Sequence, residues 1–316
     1  MREYIPKWQR ELAIFRRVKS VLILEGNVLD LYRDRRSGEA MGLGACLHEF
    51  LRDCGYHNLV FYNSRRGFSN AYEGACARDF ARVMGLSEHQ LSEYSAFKGA
   101  TGAAGLVYEA MTQTREPCAV VMEYASRYLV SPERAEQAEV DAFTTLLQAS
   151  QEATEVPTGV DRLRNLLILI VGKVNDLPAW FYLQNPNVKL ITIGTPAREE
   201  RAALLNGDGL RGFFTVRAWN REKDYYTEHP EELERLREHF IGLTEGLTYT
   251  ELLSLKTLCR NEDIPVHELS SVVDLYKFGI RENPWNELDY ERLRLRRRAS
   301  AEGSRGRTMP YSGRWM

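Results

Sequence analysis

"AVVMEYASRYLV", Ala119 to Val130, opens on four apolar residues and closes that run on a single acid, Glu123, followed by Tyr124. A short apolar, β-branched run bounded by turn signals reads as a strand covered on both faces. The same character recurs in "SVLILE" (Ser20 to Glu25), "NLVFYN" (Asn58 to Asn63), "LLILIVG" (Leu166 to Gly172) and "VKLITIG" (Val188 to Gly194). Helical patterns lie between these runs, at Gly44 to Cys54, at about Ala103 to Thr114, and over "SPERAEQAEVDAFTTLLQAS". In the last of these, Ser131 reads as N-cap and Pro132 as the first helical residue, with Val140, Phe143 and Leu147 facing the sheet. Strands alternating with helices predict an α/β fold built on five parallel strands.

After about Gly212 the strand signals stop and helical patterns take over. "TYTELLSLKTLC" begins with a capping box, Thr248 and Glu251, and presents Leu252, Leu255 and Cys259 on one face. The next helix carries Leu269, Val272, Val273 and Tyr276, with Gly279 placed to end it. Three segments are therefore expected: an α/β domain over 1–212, a helical subdomain over 213–298, and an unstructured tail over 299–316. "RLRLRRR", Arg292 to Arg298, is a dense basic run that reads either as a solvated helix end or as a phosphate-binding patch.

The 316 residues carry a formal charge of -2, with 44% hydrophobic and 27% charged residues, the balance of a globular protein with no general pull toward nucleic acid or anionic lipid. The longest apolar run, "LLILIV", is about a third of the ~20 residues a membrane span needs. The N-terminus has no hydrophobic signal region, so a cytoplasmic location is expected. Five cysteines without a CxxC pair fit a reduced compartment. Cys46, His48, Cys54 and His57 come nearest to a metal site, but Cys46 and His48 would sit about 200° apart around a helix, which disfavours one tetrahedral ion; no metal is expected.

Three further segments give the acid at Glu123 a context. "LLILIVGKVNDLP" places Asn175 just past a strand, "GTPAREERAALL" offers Pro196, Glu199, Glu200 and Arg201, and "LTEGLTYTELLSLKTLCRNEDIPVHELSSVVDLYKFGI" joins two amphipathic helices by an acidic connector. In this order and spacing, over roughly residues 15 to 280, the chain resembles the AAA+ ATPases. The resemblance implies a P-loop-NTPase-like sheet of order 5-1-4-3-2 followed by a small helical lid. It makes Glu123 a Walker-B-like residue and Asn175 sensor-1-like, and puts Gly26 and Asn27 where a nucleotide would be met. The partners it implies are other AAA+ subunits or a C-terminal ATPase module, with a protein substrate or adaptor; membrane and nucleic acid are not among them.

The departures from that pattern decide the expected function. A Walker A loop, G-x-x-x-x-G-K-[ST], supplies backbone N–H groups and a lysine to the β and γ phosphates and a hydroxyl to magnesium. Strand one is followed instead by "GNVLDLYRDRRSGEAMGLG", and Gly172-Lys173 is followed by Val174. Walker B keeps only one acid, which reads equally as vestigial or as a strand-end residue holding a neighbouring loop. "AWFYLQNPN" and "HELSSVVDL" lack the arginines the family places there. "RRGF", with Arg65, Arg66 and Phe68, reads as an exposed loop or as a contact to nucleotide or substrate. The chain is thus expected to be a non-hydrolysing scaffolding or regulatory module of a protein-remodelling machine, needing no cofactor and binding ATP with magnesium only weakly. It is further expected to be the N-terminal half of a longer Clp-like protein, its tail the product of truncation or frameshift. The alternatives are a stand-alone nucleotide or small-molecule sensor of doubly wound fold, and an unorthodox ATPase using Glu123 and Asn175.

Overall fold

All five apolar runs form strands of one sheet because alternate residues of each bury against opposite layers of helices. The computed structural model describes residues 4–34, 38–94, 102–159, 161–205 and 209–279; the basic run from Arg292 and the tail from Ala299 lie outside these described residues. By internal contacts the chain divides into two compact units, Met1–Glu200 with Gly246–Glu251, and Arg201–Glu245 with 252 onward.

The first unit runs through α1 (Lys7–Phe15), β1 (Val21–Gly26), β2 (Leu31–Arg33), β3 (Ala40–Gly42), α2 (Leu43–Asp53), β4 (Asn58–Asn63), β5 (Gly67–Ser69), α3 (Gly74–Met84), α4 (Glu88–Glu93), α5 (Ala103–Thr112) and β6 (Cys118–Met122). It continues through α6 (Gln137–Glu152), β7 (Glu155–Thr158), β8 (Asp161–Arg164), β9 (Leu166–Ile170), α7 (Ala179–Tyr182) and β10 (Val188–Ile193), and α8 (Arg198–Leu205) follows. The main sheet has six strands in the order β10-β1-β9-β6-β4-β5. Neighbouring pairs from β10 through β4 are parallel, and β5 runs antiparallel to β4. The five-strand expectation of order 5-1-4-3-2 is corrected by that added edge strand. Its cause is a tight turn: the Asn63 side chain accepts from the backbone N–H of Arg65 and Arg66, at 3.2 and 3.0 Å. Gly67 then adopts φ +64°, where a Cβ would lie 2.6 Å from the Leu91 carbonyl oxygen.

Val21, Ile23, Val60, Tyr62, Val120, Met122, Leu167 and Leu169 face one buried cluster with Phe80, Val107 and Phe143 from α3, α5 and α6. Leu22, Leu24, Leu59, Phe61, Val121, Ile168 and Ile170 face the other, with Leu12 and Leu47 from α1 and α2. Helix α6 differs from its sequence reading. Ser131 and Pro132 lead into a 3-10 turn, Pro132–Arg134, and the helix starts five residues later at Gln137, capped by Glu136. The Glu139 carboxylate accepts from the Glu136 N–H at 2.9 Å, so a capping box between two glutamates replaces the Ser-Pro start. The buried face is Ala142, Phe143, Leu146 and Ala149, which leaves Val140 and Leu147 only partly covered.

The second unit holds α9 (Val216–Glu228), α10 (Pro230–Leu243), most of α11 (Tyr249–Asn261), and α12 (Leu269–Phe278). Leu252, Leu255, Cys259, Val266, Leu269 and Val273 are fully buried, as are Phe213 and Phe240. Tyr276, expected in this core, is instead 38% exposed. Tyr276 lies in the last turn of α12, past the last buried residue, Asp274, while its neighbour Lys277 donates to the carbonyls of Leu243 and Glu245, both at 2.9 Å. Gly279 closes α12 at φ +70°. Among the described residues no helix is long and apolar enough to cross a membrane.

Truncating Leu255 to Ala should lower unfolding free energy by about 2 to 5 kcal/mol, the range for a buried leucine. Tyr276→Ala should stay within about 0.5 kcal/mol. Urea titration of the whole chain, followed by circular dichroism, measures both; a Leu255→Ala loss no larger than that of Tyr276→Ala would contradict the assignment of this core.

Candidate functional site

The end of β1 is built around Gly26. Its φ is +96°, and a Cβ there would stand 2.5 Å from the Ile193 carbonyl oxygen, so only glycine fits. The next three backbone donors are all taken by backbone carbonyls. Gly26 N–H donates to Gly172 O at 3.2 Å, Asn27 N–H to Ile193 O at 2.9 Å, and Val28 N–H to Gly26 O at 2.8 Å. The chain then folds into the β2–β3 hairpin before entering α2. Gly44, in the first turn of α2, faces Tyr72, whose hydroxyl would be 2.3 Å from a Cβ at that position.

Asp30 organises this loop. Its buried carboxylate accepts from Asn27 Nδ2 at 2.8 Å, from the N–H groups of Tyr249 and Thr250 at 2.7 and 2.9 Å, and from the Thr250 hydroxyl at 2.7 Å. It thereby satisfies first-turn donors of α11 that no helical carbonyl can reach. Burial pushes the Asp30 carboxyl up, but the hydrogen bonds from Thr250, Asn27 and Tyr249 outweigh it and hold the group below the ordinary aspartate value.

A cavity of about 640 Å³ opens at the carboxyl ends of the strands, where doubly wound folds bind ligands. Asp30, Glu123, Asp176, Arg127 and Lys173 are its charged lining residues, with Leu29, Tyr72 and Tyr124 among the apolar and aromatic ones. Glu123 extends β6 by one backbone bond, its N–H donating to Tyr62 O at 2.8 Å. One carboxylate oxygen accepts from Asn63 Nδ2 at 2.8 Å, and its carbonyl accepts from the Tyr128 hydroxyl at 2.6 Å. Burial, with Tyr62 and Glu123 nearby, pushes the Tyr128 phenol far up, so it acts as a fixed donor. Tyr124 takes φ +55°, a left-handed conformation unusual for an aromatic residue, and stands 57% exposed at the cavity wall.

The structure brings Glu123 into this cavity and leaves Asn175 out of its lining. Asn175 is exposed and accepts from the Tyr182 hydroxyl at 3.3 Å, while its neighbours Lys173 and Asp176 line the cavity. Asn27 lines a separate cavity of about 310 Å³ together with Asp30, and Gly26 lines neither. Asp30, Tyr72, Arg127 and Asp176 had no motif to mark them, and Lys173 stood out only in the Gly172-Lys173 pair that Val174 disqualifies as a phosphate loop. Of the "RRGF" segment, Arg65 and Arg66 are exposed, whereas Phe68 is buried against Tyr62 and Phe80 and unavailable to a ligand. Arg201 is buried and donates from Nε to Ile241 O at 3.1 Å. Among the described residues no group of three or more His, Cys, Asp or Glu side chains could hold a metal; His48 lies 3.3 Å from Asn70 Nδ2, and His57 contacts Arg52.

Residues 2–194 match the family described as AAA+ chaperone, N-terminal Rossmann-like domain. No curated protein sequence matches the chain. Among solved structures, one chain of the HORMA:CdnC:Trip13 complex of E. coli MS115-1 is similar at 15% identity and a TM-score of 0.42, over 84% of this chain and 75% of that one.

Replacing Asp30 by Ala strips the first turn of α11 of its acceptor and should lower stability by about 1 to 3 kcal/mol at neutral pH, the usual loss for buried donors left unpaired. A depressed folded-state value stabilises the protein above the unfolded aspartate value of about 3.9 and withdraws that stability as pH falls through the folded value. The melting-temperature gap between wild type and Asp30→Ala should therefore be full at pH 6 to 7 and shrink below about pH 4. A gap independent of pH would sink this role for Asp30.

Proposed function

The chain belongs to the AAA+ chaperone family through its N-terminal Rossmann-like domain, and from that premise we propose that it is a non-hydrolysing module that scaffolds or regulates an ATP-dependent protein-remodelling machine. Its partners on this reading are AAA+ subunits or an ATPase module, together with a protein substrate or adaptor. One observation carries it: the N–H groups of Gly26, Asn27 and Val28 all donate to backbone carbonyls. A phosphate cradle needs those donors free and convergent, plus a lysine and a hydroxyl at fixed spacing. Here the first three donors after the body of β1 are taken, and the loop lacks the Gly-Lys-Ser/Thr sequence.

The charge of the cavity argues the same way. Three acids, Asp30, Glu123 and Asp176, face two cations, Arg127 and Lys173. A triphosphate would add negative charge to a wall that already has a surplus of it. Glu123 also spends part of its acceptor capacity on Asn63, so it supports the Asn63 turn before it can orient a water.

A second reading is favoured by the cavity itself. About 640 Å³ at the carboxyl edge, with Leu29, Ile170, Tyr72 and Tyr124 in its wall, falls within the size range of small-molecule sites. A sensor would bind an uncharged or cationic ligand there without chemistry.

Purified chain should hydrolyse ATP no faster than buffer and bind Mg-ATP no tighter than the millimolar range, about 4 kcal/mol. Glu123→Gln should leave any trace hydrolysis unchanged. A turnover of about 1 per second, the low end for phosphoryl transfer, that disappears in Glu123→Gln would promote the ATPase alternative instead. Native mass spectrometry of the same sample separates the first two readings: a retained small molecule favours the sensor, and added AAA+ subunits in stable stoichiometry favour the scaffold.

A further inference from the structure

At the opposite, amino end of the sheet, four arginines converge on a further cavity. Arg16 follows α1 and precedes β1, Arg17 is beside it, and Arg162 and Arg164 come from β8 just before β9. Together with Glu155, Asp161 and Leu163 they enclose about 230 Å³. Four cations against two acids leave a local surplus of positive charge in a chain whose formal charge is -2.

The two acids do not neutralise the site evenly. Glu155 is committed to the β8 side, with Arg164 Nη2 at 2.5 Å from Oε1 and Arg162 Nε at 3.7 Å from Oε2. Arg16 is only 8% exposed, and its Nε has no hydrogen-bond partner; Arg164 Nε is likewise buried and unpaired. Arg16 hydrogen-bonds the side chains of Cys54 and Tyr56, both neutral groups whose ionisation burial pushes upward, and Asp53 is the acid nearest Cys54. Arg16 therefore meets the cavity with a guanidinium whose side-chain hydrogen-bond partners Cys54 and Tyr56 are uncharged, and a guanidinium fork matches the geometry of oxyanions such as phosphate.

We propose that Arg16, Arg17, Arg162 and Arg164 form an anion site at the amino end of the sheet that takes a phosphate group, either as inorganic phosphate or as a small phosphomonoester. The volume suits one tetrahedral oxyanion with a short substituent and excludes a polymer. Donors arriving from two separate segments, Arg16–Arg17 and Arg162–Arg164, distinguish phosphate from a planar carboxylate by offering contacts in more than one plane. The site is independent of the carboxyl-edge cavity and of its ability to bind nucleotide.

The test is isothermal titration of the full chain with inorganic phosphate, glycerol phosphate and chloride at equal ionic strength. Saturable binding of either phosphate but not of chloride is expected; stronger glycerol phosphate binding assigns a phosphomonoester, and stronger inorganic phosphate binding assigns the free ion. Arg16→Gln should weaken binding by about tenfold or more, as loss of a charge-assisted contact does. The paired exposed substitutions Arg17→Gln and Arg162→Gln, which leave the buried arginine in place, should weaken it several-fold while the circular dichroism spectrum stays that of wild type. Phosphate heats no larger than those of chloride, or an affinity unchanged in the paired variant, would overturn the proposal.

Discussion

The carbonyl oxygen of Ile193 fixes what the end of the first strand can be. It accepts from Asn27 N–H at 2.9 Å and stands where a Cβ on residue 26 would have to go. Parallel pairing of β1 with β10 is carried through Gly26 opposite Ile193. Everything after it inherits that geometry. Asn27 reaches Asp30, Asp30 caps α11, and the intervening chain closes as a short hairpin before α2 begins at Leu43.

A second polar hub locks the amino side of the same sheet. Asn165, fully buried just before β9, donates to Met111 O, Gln113 O and Thr154 Oγ1 at 3.1, 2.8 and 3.0 Å. Its carbonyl accepts from Cys118 N–H at 2.9 Å and from Gln113 Nε2 at 3.3 Å. One side chain thus joins the end of α5, the start of β6 and the segment after α6, and its polar atoms are all paired, the condition under which a buried amide specifies structure rather than weakening it. Ser20, whose hydroxyl donates to Ser150 O at 2.6 Å, ties β1 into the same layer.

The strands of the central sheet were legible because burial on both faces forces continuous apolar runs, a signal that needs no neighbours to interpret. The edge strand β5 and the hairpins β2–β3 and β7–β8 were not, since three or four residues carry no periodicity and depend on turns such as that set by Asn63. The start of α6 misled because Ser131-Pro132 is a sound capping signal that tertiary structure used for a 3-10 turn. In the site, Glu123 was visible as the acid ending a buried strand. Asn175 was not separable from Lys173 and Asp176 by sequence, because past the last paired residue of β9 a turn, not the strand alternation, decides which side chains face the cavity.

The two ends of the sheet carry opposite charge, and magnitudes decide how far helix dipoles account for it. At the carboxyl edge Asp30 accepts from the first-turn N–H groups of α11, and a helix start is electropositive, so the acid sits there favourably. At the amino edge Arg16 is the C-cap residue of α1, where a cation is likewise favoured. A dipole end contributes about 0.3 to 1 kcal/mol to an exposed charge. Burying a guanidinium with an unpaired donor costs several kcal/mol per ion. The dipole helps explain why Asp30 is tolerated, but it falls short of the cost of holding Arg16 at 8% exposure, a cost that the hydrogen bonds to Cys54 and Tyr56 reduce and that the proposed oxyanion would offset further.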